Sequence, residues 1–205
     1  MEDVLDLYAE PLDPARPVVC FDETSKQLIA ETRTPLPMEP GKPERVDYEY
    51  ARNGTANLFL VTQPRGAWRH DDVTDRRTKH DFARQMRDLV DHHFPDATTV
   101  RVVLDNLNTH TPAALYEAFP PAEARRILRT LDFHYTPVHG SWLNMAELEF
   151  SMLARQCLGR RIGDRDTLAS EIAAWENARN EQRATISWQF TVNDARHKLH
   201  RLYPS

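Results

Sequence analysis

Three carboxylates stand out by their placement. Asp22 follows the apolar run Val18-Val19-Cys20-Phe21, and Asp105 follows Val100-Arg101-Val102-Val103-Leu104. Glu147 comes three residues after Asn144, in a stretch (135–159) that reads as a strand end, a loop with Pro and Gly, and a helix. Unneutralised carboxylates brought side by side repel, and one has its pKa strongly raised unless a cation sits between them. Hard oxygen ligands of this kind select Mg²⁺ or Mn²⁺, which accept phosphate oxygens in their open positions. Two such ions roughly 4 Å apart serve phosphodiester cleavage, one activating the attacking hydroxyl and the other stabilising the leaving oxygen.

Glu147 has a competing reading. Asn144-x-x-Glu147 also matches a capping box, with Asn144 as N-cap and Glu147 reaching back to its amide, and Gly159 is placed to end the helix. At 100° per residue, Ala146, Phe150, Leu153 and Cys157 form the core stripe. Glu147 lies on one flank and Glu149 on the other, so only one can point at a given partner.

The elements that carry these acids follow from periodicity. Residues 16–21 form a strand without alternation, buried on both faces, with Asp22 and Glu23 at its end. Val46, Tyr48 and Tyr50 alternate with polar residues, Asn53-Gly54 predicts a type I′ hairpin turn, and residues 56–61 return. Residues 68–74 are ambiguous. Phe82, Met86, Leu89 and Val90 recur at helical spacing. Residues 100–104, two helical stretches and residues 131–135 make a βαβ unit, whose strands pair in parallel. If the first strand neighbours the 100–104 strand, Asp22 and Asp105 meet at strand ends, where open α/β sheets place their sites. Leu168, Ile172 and Trp175 mark a later helix, Ile186, Trp188 and Phe190 an extended element, and Thr191 caps a last helix with Ala195, Leu199 and Leu202.

Composition bounds the reading. The 205 residues suffice for one compact domain and a small appendage. No run approaches the ~18 apolar residues of a membrane span, the start is not a signal peptide, and two cysteines build neither a disulfide framework nor a zinc site. The expected location is the cytoplasm. A formal charge of −5 opposes a stand-alone, high-affinity nucleic-acid binder, although local clusters occur at Arg76, Arg77 and Lys79, at Arg125, Arg126 and Arg129, and at Arg160, Arg161 and Arg165. No G-x-S-x-G or Gly-rich phosphate loop is present, and no histidine pair has metal-binding spacing.

Taken in order, Phe21-Asp22-Glu23, then Leu104-Asp105-Asn106 with His110, then Ser141-Trp142-Leu143-Asn144-x-x-Glu147 resemble the motifs of DDE transposases, in the bacterial insertion-sequence branch of the mariner-like superfamily. The resemblance runs from about residue 17 to 203. It implies an α/β, RNase H-like core at 16–160: an antiparallel three-strand meander followed by parallel strands, flanked by helices. A residual N-terminal helix and linker (1–15) would precede that core, and a helical extension (161–205) would follow it. It also implies Asp22, Asp105 and Glu147 as catalytic ligands of two Mg²⁺ or Mn²⁺ ions, with Asn106, His110 and Asn144 in support. Arg76, Arg77, Lys79, Arg160 and Arg161 are then candidate DNA contacts. Family members carry N-terminal helix-turn-helix modules, and this sequence begins almost at the core. The expectation is a catalytic domain that cleaves transposon ends and joins them to target DNA, as a homodimer or beside full-length transposase. The alternatives are an RNase H-like nuclease without strand transfer, or a fragment that dimerises with full-length transposase and inhibits it. An uncompensated acid cluster further predicts that Asp105→Asn leaves stability equal or higher.

Overall fold

The computed structural model describes residues 1–203, with the side chain of Leu202 outside the described set. Five strands, β1 (Val18–Glu31), β2 (Tyr50–Gln63), β3 (Trp68–Thr74), β4 (Val100–Leu104) and β5 (Leu131–Tyr135), form one mixed sheet in the order β3-β2-β1-β4-β5. β1, β2 and β3 are an antiparallel meander, and β4 pairs in parallel with both β1 and β5. The helices are α1 (Glu2–Ala9), α2 (Lys79–Asp88), α3 (Pro112–Ala118), α4 (Pro121–Thr130), α5 (Ala146–Gln156), α6 (Arg165–Glu181) and α7 (Val192–Lys198). The mixed sheet flanked by helices is the RNase H-like arrangement. No helix among the described residues is long and apolar enough to cross a membrane.

The meander is present, but its members differ from those read in the sequence. Asn53-Gly54 does not turn the chain: β2 runs straight through it. Gln27 pairs with Thr55 and Ile29 with Arg52, so two steps along β1 oppose three along β2. The extra residue is a β-bulge with Gly54 at φ +94°. A type I′ turn needs positive φ at both central residues, and in β2 only Gly54 adopts it. Asn53 instead donates to the Gly163 carbonyl (2.8 Å). The reversal is made by residues 32–49, where Leu36 bridges Arg45 and Glu39 bridges Lys42, and the ambiguous 68–74 stretch is the edge strand β3. β1 also continues ten residues past Phe21, so Asp22 stands within a strand, not at its end.

Alternation along the strands divides the core between two layers. On one face Val19, Phe21, Phe59, Val102 and Leu104 pack against Phe82 and Met86 of α2, Leu115 of α3 and Ile127 of α4. Thr78 and Asp81 close a capping box at the start of α2. On the other face Cys20, Leu60 and Val103 meet Val4 and Leu5 of α1, Ala146 of α5 and Ala195 of α7. Farther along that face Leu28, Leu58 and Val73 pack with Leu153 of α5 and with Leu168, Ile172 and Trp175 of α6. α1 is bound into this second layer, since the Tyr8 hydroxyl donates to the Leu143 carbonyl (2.7 Å). The 186–190 stretch is irregular chain, and Thr191 caps α7 as read from the sequence.

Glu149 resolves one ambiguity by its burial. Its side chain is 0% exposed and receives Arg179 Nε (3.2 Å), an Arg179 terminal nitrogen (3.0 Å) and Arg69 (3.5 Å). It therefore ties α5 to β3 and α6 from inside. Asp71, next but one to Arg69 on β3, is pushed up to about 8 by burial and by the negative charge of Glu176, which accepts from the Asp71 amide (2.9 Å) and faces His70 (3.3 Å), so both arginines remain for Glu149. Removing one partner of a buried charge pair leaves the others uncompensated, at about 3–5 kcal/mol. Glu149→Ala is expected to lower stability by that amount in urea unfolding, whereas Glu147→Ala, on the exposed side of the same helix, leaves the midpoint nearly unchanged.

Candidate active site

The parallel register between β1 and β4 pairs Val18 with Arg101, Val19 with Val102 and Cys20 with Val103. Continued two residues, it sets Asp22 beside Asp105, just past the end of β4. By alternation Asp22 shares the face of Cys20 and Val103, the face that α5 covers, while Asp105 turns its carboxylate to His110, which packs on Phe21 and Phe82. Glu147, in the first turn of α5, is exposed on the rim of the same site. Asn144 fixes that helix to the strand: its Nδ2 donates to the Phe21 carbonyl (2.8 Å), and its Oδ1 accepts from Ala146 N (3.2 Å).

The capping box expected from Asn144-x-x-Glu147 does not form. The helix begins one residue late, with Met145 in the N-cap position and no side-chain cap. Asn144 is fully buried, with Nδ2 committed to β1 and Oδ1 to the Ala146 amide, so its side chain does not close a box with Glu147, whose carboxylate is left free. Gly159 likewise does not end α5, which stops at Gln156 with Cys157 as its C-cap.

The other supporting residues are placed around Asp105. His110 is 1% exposed and lies between two carboxylates, with Nδ1 2.7 Å from Asp105 Oδ1 and Nε2 2.7 Å from Glu23 Oε2. Burial disfavours its cation, but the bonds to Asp105 and Glu23 outweigh that and raise it to about 9. The same bond to His110, with that of Leu107 N (3.1 Å), holds Asp105 below the usual carboxylate range. Asn106 binds the Thr136 carbonyl, joining the exits of β4 and β5. Glu23, only 2% exposed at its side chain, is the residue that the sequence reading left without a role. Reading the strand as ending at Phe21 hid that Glu23 points to the opposite face from Asp22.

Asp22 is the electrostatic opposite of Asp105. Burial raises it to about 7, opposed only by the Glu23 amide (2.9 Å), and the charges of Asp105, Glu23 and Glu147 push it further up. Uncompensated charge on hard oxygen donors fits a divalent cation. Among the described residues no three acidic, His or Cys side chains come together as a set that could hold a metal ion: Asp22 feels the charges of Asp105 and Glu147, but the Asp105 carboxylate is turned toward His110.

Of the proposed DNA contacts, Arg76 and Arg77 are exposed. Lys79 pairs with Glu117 (2.8 Å), Arg160 with Glu171, and Arg161 with Glu31 (2.7 Å) and the Asp47 and Glu49 carbonyls. Arg161 thus tethers the 32–49 segment to β1.

These shifts have opposite signs in a stability profile. Folding favours protonated Asp22, a contribution present below 3.8 and lost as pH rises through about 7. Ionising it in the folded chain costs about 4 kcal/mol more than in the unfolded one. Protonated His110 stabilises below 6.5, and that contribution is lost as pH rises through about 9. Ionised Asp105 contributes above 3.8, and its part is lost as pH falls through its lowered folded value. In EDTA, Asp22→Asn is expected to raise the melting temperature at pH 8 more than at pH 5. Asp105→Asn is expected to lower it, contrary to the relief predicted for an uncompensated cluster, because His110 loses its partner. Melting curves from pH 4 to 9 check both.

Residues 17–169 match the family model described as DDE superfamily endonuclease. No curated protein matches the sequence. Among solved structures, the Mos1 transposase paired-end complex with left transposon end is similar at a TM-score of 0.55 and 16% identity, over 82% of this chain and 51% of that one. The Mos1 strand transfer complex gives 0.52 and 17%, over 86% and 51%. The chain thus spans about half the length of the Mos1 chains. With its acids on the matched segment and its sheet in the same arrangement, the chain belongs to the DDE endonuclease superfamily.

Proposed function

We propose that the chain is the catalytic domain of a mariner-like transposase, cutting DNA at transposon ends and joining the freed 3′-hydroxyl to target DNA. The observation that carries this reading is the β1–β4 register that sets Asp22 beside Asp105, with the raised Asp22 carboxyl balanced by no protein cation and Glu147 free on the rim. Asp22, Asp105 and Glu147 are the metal ligands. Bound Mg²⁺ or Mn²⁺, two ions per site, supplies Lewis acidity at the scissile phosphate and lowers the pKa of the attacking hydroxyl.

The protein's own groups have distinct tasks. Asp22 holds a proton near neutrality and gives it up when a cation takes its place. His110, braced by Glu23, fixes Asp105. Asn144 sets the start of α5 against the peptide that precedes Asp22, and Glu149 anchors the same helix one turn on, leaving Glu147 directed at the rim. The working form is a homodimer or an assembly with full-length transposase, in the cytoplasm, and Arg76 and Arg77 remain DNA-contact candidates.

Metal ligands must be deprotonated, so affinity depends on pH. Mn²⁺ affinity, read by electron paramagnetic resonance, is expected to fall as pH drops below about 7, and Asp22→Asn to abolish that dependence along with cleavage. Oligonucleotides mimicking a cut end should be joined to a plasmid target by the wild type and not by Glu147→Gln. Cleavage of RNA–DNA hybrids without joining would favour a simple nuclease, and absence of Mn²⁺ binding would reduce the chain to a non-enzymatic partner.

A further inference from the structure

We propose that the groove between the outer half of β1 and the open side of α5 holds the DNA strand leading away from the scissile phosphate. This rests on the acid site being where the phosphodiester reacts. β1 continues beyond Asp22, and its alternation puts Thr24 and Lys26 on Asp22's face, about 7 and 13 Å farther along. From Glu147, steps of four and three residues on α5 bring Ser151 and Ala154 onto one side, and Leu158 lines the groove just past the helix end. Between the two rows runs a groove of about 430 Å³ with Glu147 at one end.

Its chemistry suits a single DNA strand. Thr24 and Ser151 offer hydroxyl oxygens, and Phe150 offers an apolar wall for sugars. Lys26 Nζ is held by the Leu158 carbonyl (2.8 Å), which fixes the ammonium without cancelling its charge. At the groove's edge Arg155 donates to Oγ of Ser151 (2.8 Å), one of the groove's lining residues. Neither cation has a carboxylate partner among the described residues, whereas Lys79, Arg160 and Arg161 each have one. Free positive charge therefore stands in the groove at Lys26 and at its edge at Arg155, where a polyanion entering the acid site would need it.

The test is anisotropy of a fluorescein-labelled 12-mer single strand in EDTA across a sodium chloride series. Each lost phosphate contact removes about 0.7 from the slope of log K against log salt for single strands. Lys26→Gln with Arg155→Gln is expected to flatten the slope by roughly 1.4. Ala154→Trp, which fills the groove without removing charge, is expected to weaken binding at least tenfold. Arg125→Gln with Arg129→Gln, on α4 of the opposite layer, should leave binding as in wild type. Because Lys26 also ties β1 to α5, Arg155→Gln alone and Ala154→Trp are run with melting curves as variants that leave that tie in place. Unchanged slopes, undiminished binding by Ala154→Trp, binding of duplex only, or no binding by wild type would each overturn the groove. Mn²⁺ binding by wild type and by all these variants reports on the acid site separately, so the groove can fail while the acid site stands.

Discussion

The constraint on which the rest depends is the parallel pairing of β1 with β4. Parallel neighbours cannot be joined by a tight turn, so the chain must leave β1, complete the meander and cross through α2 before β4 can be laid down. That crossover places α2 over one face and leaves the other for α1, α5, α6 and α7. Register then does the chemical work. A one-residue slip would turn Asp22 into the α2 layer and bring Glu23 to the site, because alternate residues face opposite ways. The buried row of Val19, Phe21 and Val102 against Phe82 and Met86 forbids that slip, so apolar packing on one face holds the acids in place on the other.

α5 is positioned by two polar devices of different character. Asn144 joins the loop before it to the Phe21 carbonyl, a neutral bond wholly inside the protein. Glu149 joins its body to Arg69 and Arg179 through buried charge. Such a cluster is not the cheapest way to stabilise a core, since apolar side chains of similar volume often do as well. It does resist rotation of the helix about its axis, as few orientations satisfy both arginines. Rotation is the motion that would sweep Glu147 off the rim.

How much of this was legible in the sequence follows the physics of each signal. The strands carrying Asp22 and Asp105 are short-range apolar runs, and β4, β5, α2 and α6 appear where their periodicity puts them. The acids themselves were picked out by those runs and by the ordered motifs. Asn53-Gly54 failed because turn chemistry is local while pairing is not: β2 pairs with β1 from Tyr50 to Thr62, straight past that dipeptide, and the glycine became a bulge. Glu149 and Glu23 were undervalued for one reason. A carboxylate in sequence looks solvated, and only the fold supplies Arg69, Arg179 and His110 from distances of 80, 30 and 87 residues along the chain. Asn144 serves both ends: its Oδ1 accepts from the first amide of α5 as its place in the sequence suggests, while the Nδ2 clamp on β1 has no local signature.

The distribution of charge gives the acidic composition a structural meaning. Many cations of this chain are already committed: Arg69 and Arg179 inside the second layer, Arg161 on the 32–49 segment, Arg165 on Asp75, Arg196 on Glu2. They hold elements together and are not free to gather anions. Against that background the acid site stands out, because Asp105 is balanced by His110 and Asp22 is balanced by nothing. A buried aspartate left this way is unfavourable for folding above neutral pH. Such an unrelieved charge is retained where a ligand of opposite sign completes the site. The fold thus leaves Asp22 and Glu147 without a cationic partner while His110 balances Asp105 and Glu23, and in the proposed function a divalent cation supplies the missing counterion.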